Sequence, residues 1–264
     1  IEWQIAEGTD AIVAVGTTGE SATLEVSEHL KVIEHSIRTA AGRVPVIAGT
    51  GSNNTAHAIE MTRQAEVLGA DAALLVTPYY NRPGQEGLYR HFSAIAAAVS
   101  LPIILYNVPS RTATDLLPET VVRLASTSNI VGIKEATGKL ERVRAIREGA
   151  GEAFLLISGD DASALEFMLA GGAGVISVTA NVAPRLMHAL CVAARGGERD
   201  RAEAINRQLQ LLHKELFIEP SPTPVKWALA QMGRIPTGIR LPLLPLSPDS
   251  YARVRAAMQA AGVS

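Results

Sequence analysis

The stretch Ile130-Val-Gly-Ile-Lys134 is the clearest guide to the architecture, because it is an apolar run of strand length that ends on a charged side chain. Similar runs recur on both sides of it, and each precedes a longer stretch with the apolar period of a helix. Strands that are apolar throughout are typical of a parallel sheet covered by helices. The sequence therefore predicts an α/β protein with seven visible strand–helix units. The other runs are Ala11–Val15, Pro45–Ala48, Ala72–Val76, Pro102–Tyr106, Phe154–Ile157 and Val175–Val178.

Repeated right-handed crossovers bring the two edges of such a sheet together, so we predict a closed (β/α)₈ TIM barrel. An open doubly wound sheet is the alternative topology. The segment Trp3–Gly8 has the features of a helix end without a strand before it, and we expect the first barrel strand to be lacking from this chain. Beyond residue 197 the alternation stops and proline-rich turns separate three helical stretches. We predict the barrel over residues 1–197 and a small C-terminal helical domain over residues 198–264.

The composition limits the function classes. The chain has 264 residues, a length common among single α/β barrels. Its 24 basic and 26 acidic residues give no basic surface for nucleic acid or membranes. The apolar runs are too short to span a bilayer and the chain starts without a signal peptide, so we expect a cytoplasmic protein. The single cysteine and six scattered histidines predict neither a disulfide nor a metal site, and no cofactor is expected.

Two residues at strand ends are candidates for catalysis, because the active sites of such barrels lie at the carboxyl ends of the strands. Lys134 follows an apolar strand, where desolvation lowers the pKa of an amine and leaves more of it able to attack a carbonyl. The alternative is a structural lysine paired with a carboxylate such as Glu135. Tyr106 ends the preceding strand and is suited to relay protons to an imine, although a packing tyrosine is the simpler interpretation.

Two further segments offer groups that bind carboxylates. Gly16-Thr-Thr-Gly-Glu-Ser21 lacks the lysine ending of a phosphate loop, but it supplies amides and hydroxyls suited to a carboxylate or an oxyanion. Arg111 has the fork geometry that grips a carboxylate with two hydrogen bonds. Each signal is weak by itself, since glycine- and threonine-rich turns and solvated arginines are common. Cys191 fits a core residue better than a nucleophile.

Taken together, these segments resemble the pyruvate-dependent Schiff-base lyases of the N-acetylneuraminate lyase superfamily. The order and spacing of the shared motifs hold over nearly the whole chain. The motifs are Gly16-Thr-Thr-Gly-Glu-Ser21, Thr77-Pro-Tyr-Tyr-Asn-Arg-Pro83, Tyr106-Asn-Val-Pro-Ser-Arg-Thr112, Gly132-Ile-Lys-Glu-Ala-Thr137, Ser158-Gly-Asp-Asp161, Gly174-Val-Ile-Ser-Val-Thr-Ala-Asn181 and Pro224-Val-Lys-Trp227.

The resemblance implies the roles of individual residues. Lys134 matches the catalytic lysine of the superfamily, and Tyr106, Thr17 and Tyr80 match its proton relay, in which the last tyrosine reaches over from a neighbouring subunit. The residues implied to bind the substrates are Thr18, Arg111 and the backbones of Gly159 and Ile176.

Arg111 matches an arginine of one branch of this superfamily. The enzymes of that branch condense pyruvate with L-aspartate 4-semialdehyde in the diaminopimelate and lysine pathway. The resemblance therefore implies pyruvate and this semialdehyde as substrates, and a homo-oligomer that is a dimer of dimers. Two alternatives remain. One is an aldolase that uses the same imine on another aldehyde, such as a sugar acid, and the other is a non-catalytic paralogue, suggested by the missing strand.

The resemblance also implies a feedback site for lysine. The residues that match it are Ser21, Ala22, Leu24, His29, Asn53, His57 and Tyr79. His57 stands where lysine-sensitive members have a glutamate, and Val26 stands where some have a histidine. Loss of one charge-assisted hydrogen bond weakens binding by roughly ten- to a hundredfold. We therefore predict weak or absent inhibition by lysine.

Overall fold

A computed structural model describes residues 1–263 of the chain. Seven parallel strands form one sheet in which each strand pairs with its neighbour in sequence. A doubly wound sheet reverses its strand order part-way, so the doubly wound alternative is wrong. The fold is a TIM-barrel-like α/β fold. The strands are β1 (Ile12–Ala14), β2 (Val46–Gly49), β3 (Ala72–Val76), β4 (Ile103–Asn107), β5 (Ile130–Glu135), β6 (Leu155–Ser158) and β7 (Gly174–Val175).

Helices follow the strands, and the last three follow one another. They are α1 (Glu2–Ala6), α2 (Val26–Ala40), α3 (Thr55–Leu68), α4 (Gln85–Ala96), α5 (Pro109–Thr112), α6 (Pro118–Ala125), α7 (Glu141–Ala150), α8 (Ala164–Leu169), α9 (Pro184–Arg195), α10 (Arg199–Glu215), α11 (Thr223–Gln231) and α12 (Pro248–Ala261).

Two strands are shorter than their apolar runs predict. Strand β1 ends at Ala14, because Val15 adopts a left-handed backbone with φ 49°. Strand β7 has only two residues and ends at Val175. The backbone N–H groups of Val178 and Thr179 donate to the carboxylate of Asp161 at 3.0 and 2.9 Å, so a side chain holds this segment in place of a neighbouring strand.

Three apolar clusters hold the fold together. The smallest fills the space enclosed by the sheet, with Leu74, Ile104 and Tyr106 among its members. A second lies between the sheet and helices α2 to α7. The third joins α8 and α9 to the last three helices and therefore runs across residues 197 and 198. The domain division at that position stays a prediction.

Strands β1 and β7 form the two ends of the sheet. Within residues 1–263, every helix falls short of the combined length and apolarity that crossing a bilayer requires.

Candidate active site

The site is built on the paired ends of β4 and β5. Tyr106 and Lys134 are partners in the register of these strands, so both side chains point to the same face of the sheet. The amine Nζ of Lys134 lies 4.3 Å from the centre of the Tyr106 ring. The sequence predicted this pairing, since the carboxyl ends of adjacent parallel strands meet at one edge.

Lys134 is largely enclosed by protein. Its side chain runs across Gly159 of the next strand end, where an added Cβ would lie only 3.0 Å from the lysine Cε. Burial lowers the pKa of Lys134 from its usual 10.5 to about 8, against an opposing effect of the Asp161 charge and with a smaller contribution from Arg111. Within residues 1–263 no carboxylate lies within ion-pair distance of the amine, and Glu135 pairs with Arg142 instead.

Tyr106 is almost fully buried, and burial raises the pKa of its phenol, while the charge of Arg111 and a hydrogen bond with Thr17 act in the opposite direction. The phenol therefore stays protonated at neutral pH. Thr17 lies in the short 3₁₀ turn Thr17–Gly19 that follows β1, so this turn brings one hydroxyl to Tyr106 and places Thr18 beside it.

The backbones of Gly159 and Ile176 lie at the neighbouring strand ends. The N–H of Gly159 donates to the carbonyl of Glu135 at 2.7 Å, and the N–H of Ile176 donates to the carbonyl of Ser158 at 2.9 Å. Both residues thus continue the strand register one step past β6 and β7, and Gly159 lies against the side chain of Lys134.

Arg111 lies in the short helix α5, close enough for its charge to lower the pKa of both Lys134 and Tyr106. Its Nη2 is 3.5 Å from the carbonyl oxygen of Ser221, which is a weak hydrogen bond. Within the described residues no carboxylate pairs with this guanidinium, so its donors are available to a ligand.

Tyr80 does not join this group within one chain. Its side chain is 90% exposed, whereas Tyr106 is 7% exposed. Its backbone is left-handed, with φ 73°. Such a conformation costs a tyrosine on the order of 1–2 kcal/mol and persists only where its surroundings impose it.

The residues matched to the feedback site lie close together in part. Asn53 Nδ2 donates to the backbone oxygen of Tyr79 at 3.2 Å. His29 Nε2 lies 2.7 Å from the carbonyl of Gly49; burial lowers the pKa of its ring, and the charge of nearby His57 lowers it further. His57 therefore faces another imidazole at this position.

Sequence reasoning did not assign a role to Asp161, although it lies in the motif Ser158-Gly-Asp-Asp161. Its carboxylate is 2% exposed, and its Oδ1 has no hydrogen-bond partner within residues 1–263. Its charge acts on Lys134 and on the buried ring of His213. The available signal for a role of Asp161 was its position shortly after the end of the strand next to that of Lys134.

The model of the dihydrodipicolinate synthetase family matches residues 1–261. The chain belongs to this family.

Members of the dihydrodipicolinate synthetase family are similar to the chain over its full length. The 4-hydroxy-tetrahydrodipicolinate synthase of Methylococcus capsulatus is 63% identical, and the match covers 100% of this chain and 90% of the relative. The pyruvate complex of the chloride-inhibited dihydrodipicolinate synthase from Acinetobacter baumannii is 54% identical, with a TM-score of 0.98 over 100% of this chain and 90% of that one. A monomeric dihydrodipicolinate synthase variant is 39% identical, with a TM-score of 0.97 over 100% and 89%. The predicted family and its lyase class are confirmed.

Proposed function

We propose that this chain condenses pyruvate with L-aspartate 4-semialdehyde through an imine on Lys134, the activity of a 4-hydroxy-tetrahydrodipicolinate synthase. The observation that carries the residue roles is the buried amine of Lys134, 4.3 Å from the ring of Tyr106, with its pKa lowered to about 8. Relatives that bear this enzyme's name support the reaction. An imine-forming lysine needs a neutral amine, an acid beside it and anion-binding groups around it, and we assign the first two roles to Lys134 and Tyr106.

The first step forms the imine. At pH 7 about one Lys134 in ten is neutral, given its pKa of about 8. The amine attacks the ketone carbon of pyruvate, and one proton passes from its nitrogen to the former ketone oxygen. The resulting hydroxyl takes a second proton from the Tyr106 phenol and leaves as water, which gives the protonated imine. The hydrogen bond between Tyr106 and Thr17 provides the path by which the phenol regains a proton.

The second step makes the carbon–carbon bond. Loss of a proton from the pyruvate methyl group gives an enamine, whose carbon attacks the aldehyde carbon of the semialdehyde, while the aldehyde oxygen takes up a proton. The amino group of the bound product then attacks the imine carbon and displaces the amine of Lys134. The ring closes as the product leaves, and the enzyme amine is regenerated.

Two anion sites hold the substrates in this proposal. Thr18 and the backbone beside Gly159 and Ile176 bind the carboxylate of pyruvate, and Arg111 binds the carboxylate of the semialdehyde. The support for Arg111 is its position near Lys134 without a carboxylate partner of its own within residues 1–263.

A trapping experiment tests the imine. Borohydride reduction in the presence of pyruvate is expected to add one pyruvate-sized mass to the peptide that contains Lys134. Lys139→Met, which removes an exposed lysine five residues away, should keep the adduct, and Lys134→Met should lose it. A folded chain that gains no adduct would contradict the proposal.

A second experiment separates this reaction from that of a sugar-acid aldolase. Arg111→Ala is expected to raise the KM for the semialdehyde by roughly tenfold or more, through loss of a charge-assisted contact, while pyruvate still forms the imine. Arg90→Ala, on the exposed face of α4, is the matched control. Unchanged turnover of the semialdehyde by Arg111→Ala would favour another aldehyde.

We extend the proposal to the assembly. The seven strands belong to a (β/α)₈ barrel whose remaining strand position lies between β7 and β1, and helices α10 to α12 form a helical domain beside it. Tyr80 completes the proton relay of a neighbouring copy in a cytoplasmic dimer of dimers, which explains an aromatic side chain that is exposed and strained in one chain. One relative is a monomeric variant, so the oligomeric state needs a direct test. Sedimentation that shows a fully active monomer would contradict the proposed assembly.

Weak or absent feedback inhibition by lysine belongs to the same proposal, because His57 offers no carboxylate to the bound amino acid. An inhibition curve tests it, and His57→Glu is expected to increase sensitivity by roughly tenfold or more. Half-inhibition of the unsubstituted chain at submillimolar lysine would contradict the prediction.

A further inference from the structure

The motif Pro224-Val-Lys-Trp227 supports the family resemblance, yet neither the sheet nor the proposed reaction explains it. Lys226 lies in helix α11, and its Nζ donates to the carboxylate of Glu20. The side chains are only 23% and 15% exposed. An ion pair this sheltered is screened less than one on the surface, so its loss has a larger effect.

Glu20 is the residue that turns the chain after Thr17 and Thr18. Its backbone is left-handed, with φ 56°, and joins the 3₁₀ turn Thr17–Gly19 to a second one over Ser21–Thr23. Its N–H donates to the carbonyl of Thr17 at 3.1 Å, and its own carbonyl accepts from the N–H of Thr23 at 3.0 Å. The position of Glu20 therefore fixes the geometry of both turns.

The carboxylate of Glu20 is held from two directions. Besides Lys226, the backbone N–H of Arg240 donates to it at 2.9 Å. Burial raises the pKa of Glu20, but the hydrogen bonds from Arg240 and Lys226 outweigh burial, and the pKa is lowered overall. The carboxylate is thus ionised at neutral pH, as an ion pair with the ammonium requires.

A second, more exposed contact joins the same turns to the C-terminal helical segment, residues 198–263. The Arg240 guanidinium donates to the carbonyl of Thr23 at 2.9 Å and to both carboxylate oxygens of Glu28 at 2.7 and 2.8 Å. These two side chains are 49% and 40% exposed. Exposed pairs contribute little, so the sheltered Lys226 contact is the stronger restraint.

We propose that Lys226 is a positioning residue for the pyruvate site, which holds Glu20 and through it the turn that carries Thr17 and Thr18. The proposal rests on the proposed imine reaction at Lys134. Hydroxyls and amides that bind a small carboxylate must be held to a fraction of an ångström, and the turn Thr17–Gly19, which has no buried residue, needs an outside restraint to achieve this. Lys226 touches neither substrate nor Lys134 in this role.

The test compares Lys226→Met with Lys214→Met, which removes an exposed lysine of the same helical segment. The pyruvate concentration for half-maximal imine trapping is expected to rise about tenfold in Lys226→Met, with a smaller change in the rate at saturation. Lys226→Arg should restore most of the affinity. Glu20→Gln should show the same defect, and adding it to Lys226→Met should cause little further loss.

Amide hydrogen exchange gives a readout that does not depend on catalysis. Exchange in residues 17–23 is expected to speed up in Lys226→Met and to stay unchanged in Lys214→Met. Unchanged exchange in those residues, or faster exchange spread evenly over the whole chain, would overturn the positioning role. Absence of an imine on the unsubstituted chain would instead overturn the reaction at Lys134, and the exchange result would still decide the role of Lys226.

Discussion

Two adjacent residues at the end of β5 show how sheltered charged groups serve opposite purposes. The side chain of Lys134 points into the space that the sheet encloses, and Glu135 points outward to the helices, because side chains alternate along a strand. Lys134 forms no ion pair within residues 1–263, and burial lowers the pKa of its amine. Glu135 is 3% exposed and accepts hydrogen bonds from Thr137 N–H at 2.8 Å, Asn107 at 3.2 Å and Arg142 at 3.3 Å.

The neighbouring strand β4 shows the same contrast between an inward and an outward side chain. Tyr106 points inward beside the lysine, and fully buried Asn107 points outward, where its Nδ2 donates to Asp115 at 2.9 Å and its Oδ1 accepts from Leu116 N–H at 3.0 Å. Arg142 closes the outer network through an ion pair with Asp115 at 2.5 Å. Desolvation without partners makes a reactive group, whereas desolvation with complete pairing makes an anchor that holds the reactive group in place.

Removal of the inward-pointing amine of Lys134 should change activity and stability in opposite directions. Lys134→Met is expected to abolish imine formation and also to stabilise the fold. Because the pKa of Lys134 is lower in the folded chain than its usual 10.5, the protonated amine opposes folding below about pH 8. The gain is on the order of 3 kcal/mol at pH 7 and shrinks as the pH rises from about 8 towards 10.5.

Urea unfolding at pH 7 and pH 10 measures this gain, with Lys139→Met as the matched control. A destabilised Lys134→Met chain would show that the lysine is an anchor after all.

Removal of the outward charge should have the opposite result. Glu135→Ala leaves the Arg142 guanidinium buried with only half-exposed Asp115 as a charged partner, and we expect a loss of about 3 kcal/mol in the free energy of unfolding. Glu152→Ala removes a carboxylate that is 92% exposed and 3.8 Å from Arg147, and little change is expected. Equal unfolding midpoints for the two variants would refute the anchor role.

Crowding the inward face should impair the lysine without touching its charge. A Cβ at position 159 would lie 2.7 Å from the Cβ of Ala136 and 3.0 Å from the Cε of Lys134, so Gly159→Ala displaces the amine. Imine trapping is expected to slow by roughly a hundredfold, the scale on which small misplacements act. Gly84→Ala, at a position with open space around it and φ −71°, tests whether glycine loss alone matters. A trapping rate that survives Gly159→Ala would show that the amine has room to move.

The smallest effect concerns the pH dependence of imine formation. The neutral amine reacts, so with a pKa of about 8 the rate should rise about tenfold from pH 6 to pH 7 and only about twofold above pH 8. Asp161→Asn removes a charge that raises the pKa of Lys134, so it should move the midpoint to lower pH, and Glu135→Gln should leave it in place. A rate that climbs tenfold per pH unit past pH 9 would mean an ordinary lysine.

The parallel sheet and the Tyr106–Lys134 pair were predictable, because both depend on local apolar runs and on the meeting of adjacent strand ends. The length of β7 was not predictable from the sequence. The apolar run continues through Ile176 to Val178, but the carboxylate of Asp161 binds the backbone there. The periodicity of apolar residues does not indicate such a contact.

The roles of Glu20 and Lys226 were also beyond sequence reasoning, since their contact joins residues 206 positions apart. The same holds for Arg111 and Ser221, which are 110 positions apart. The motifs identified Glu20, Lys226 and Arg111 as characteristic of the family without indicating which residues they contact. Side-chain partners over such separations are determined by the finished packing and not by the local pattern.

The Glu20–Lys226 contact also fixes an order of events during synthesis. A ribosome adds the residues between Lys134 and Lys226 over on the order of ten seconds, and chain closure over so long a segment follows the formation of local contacts. The growing chain therefore contains the reactive amine before it contains the residue that orders the turn with Thr17 and Thr18. In the proposed reaction, full affinity for pyruvate is therefore reached only after helix α11 has been made, later than the lysine itself.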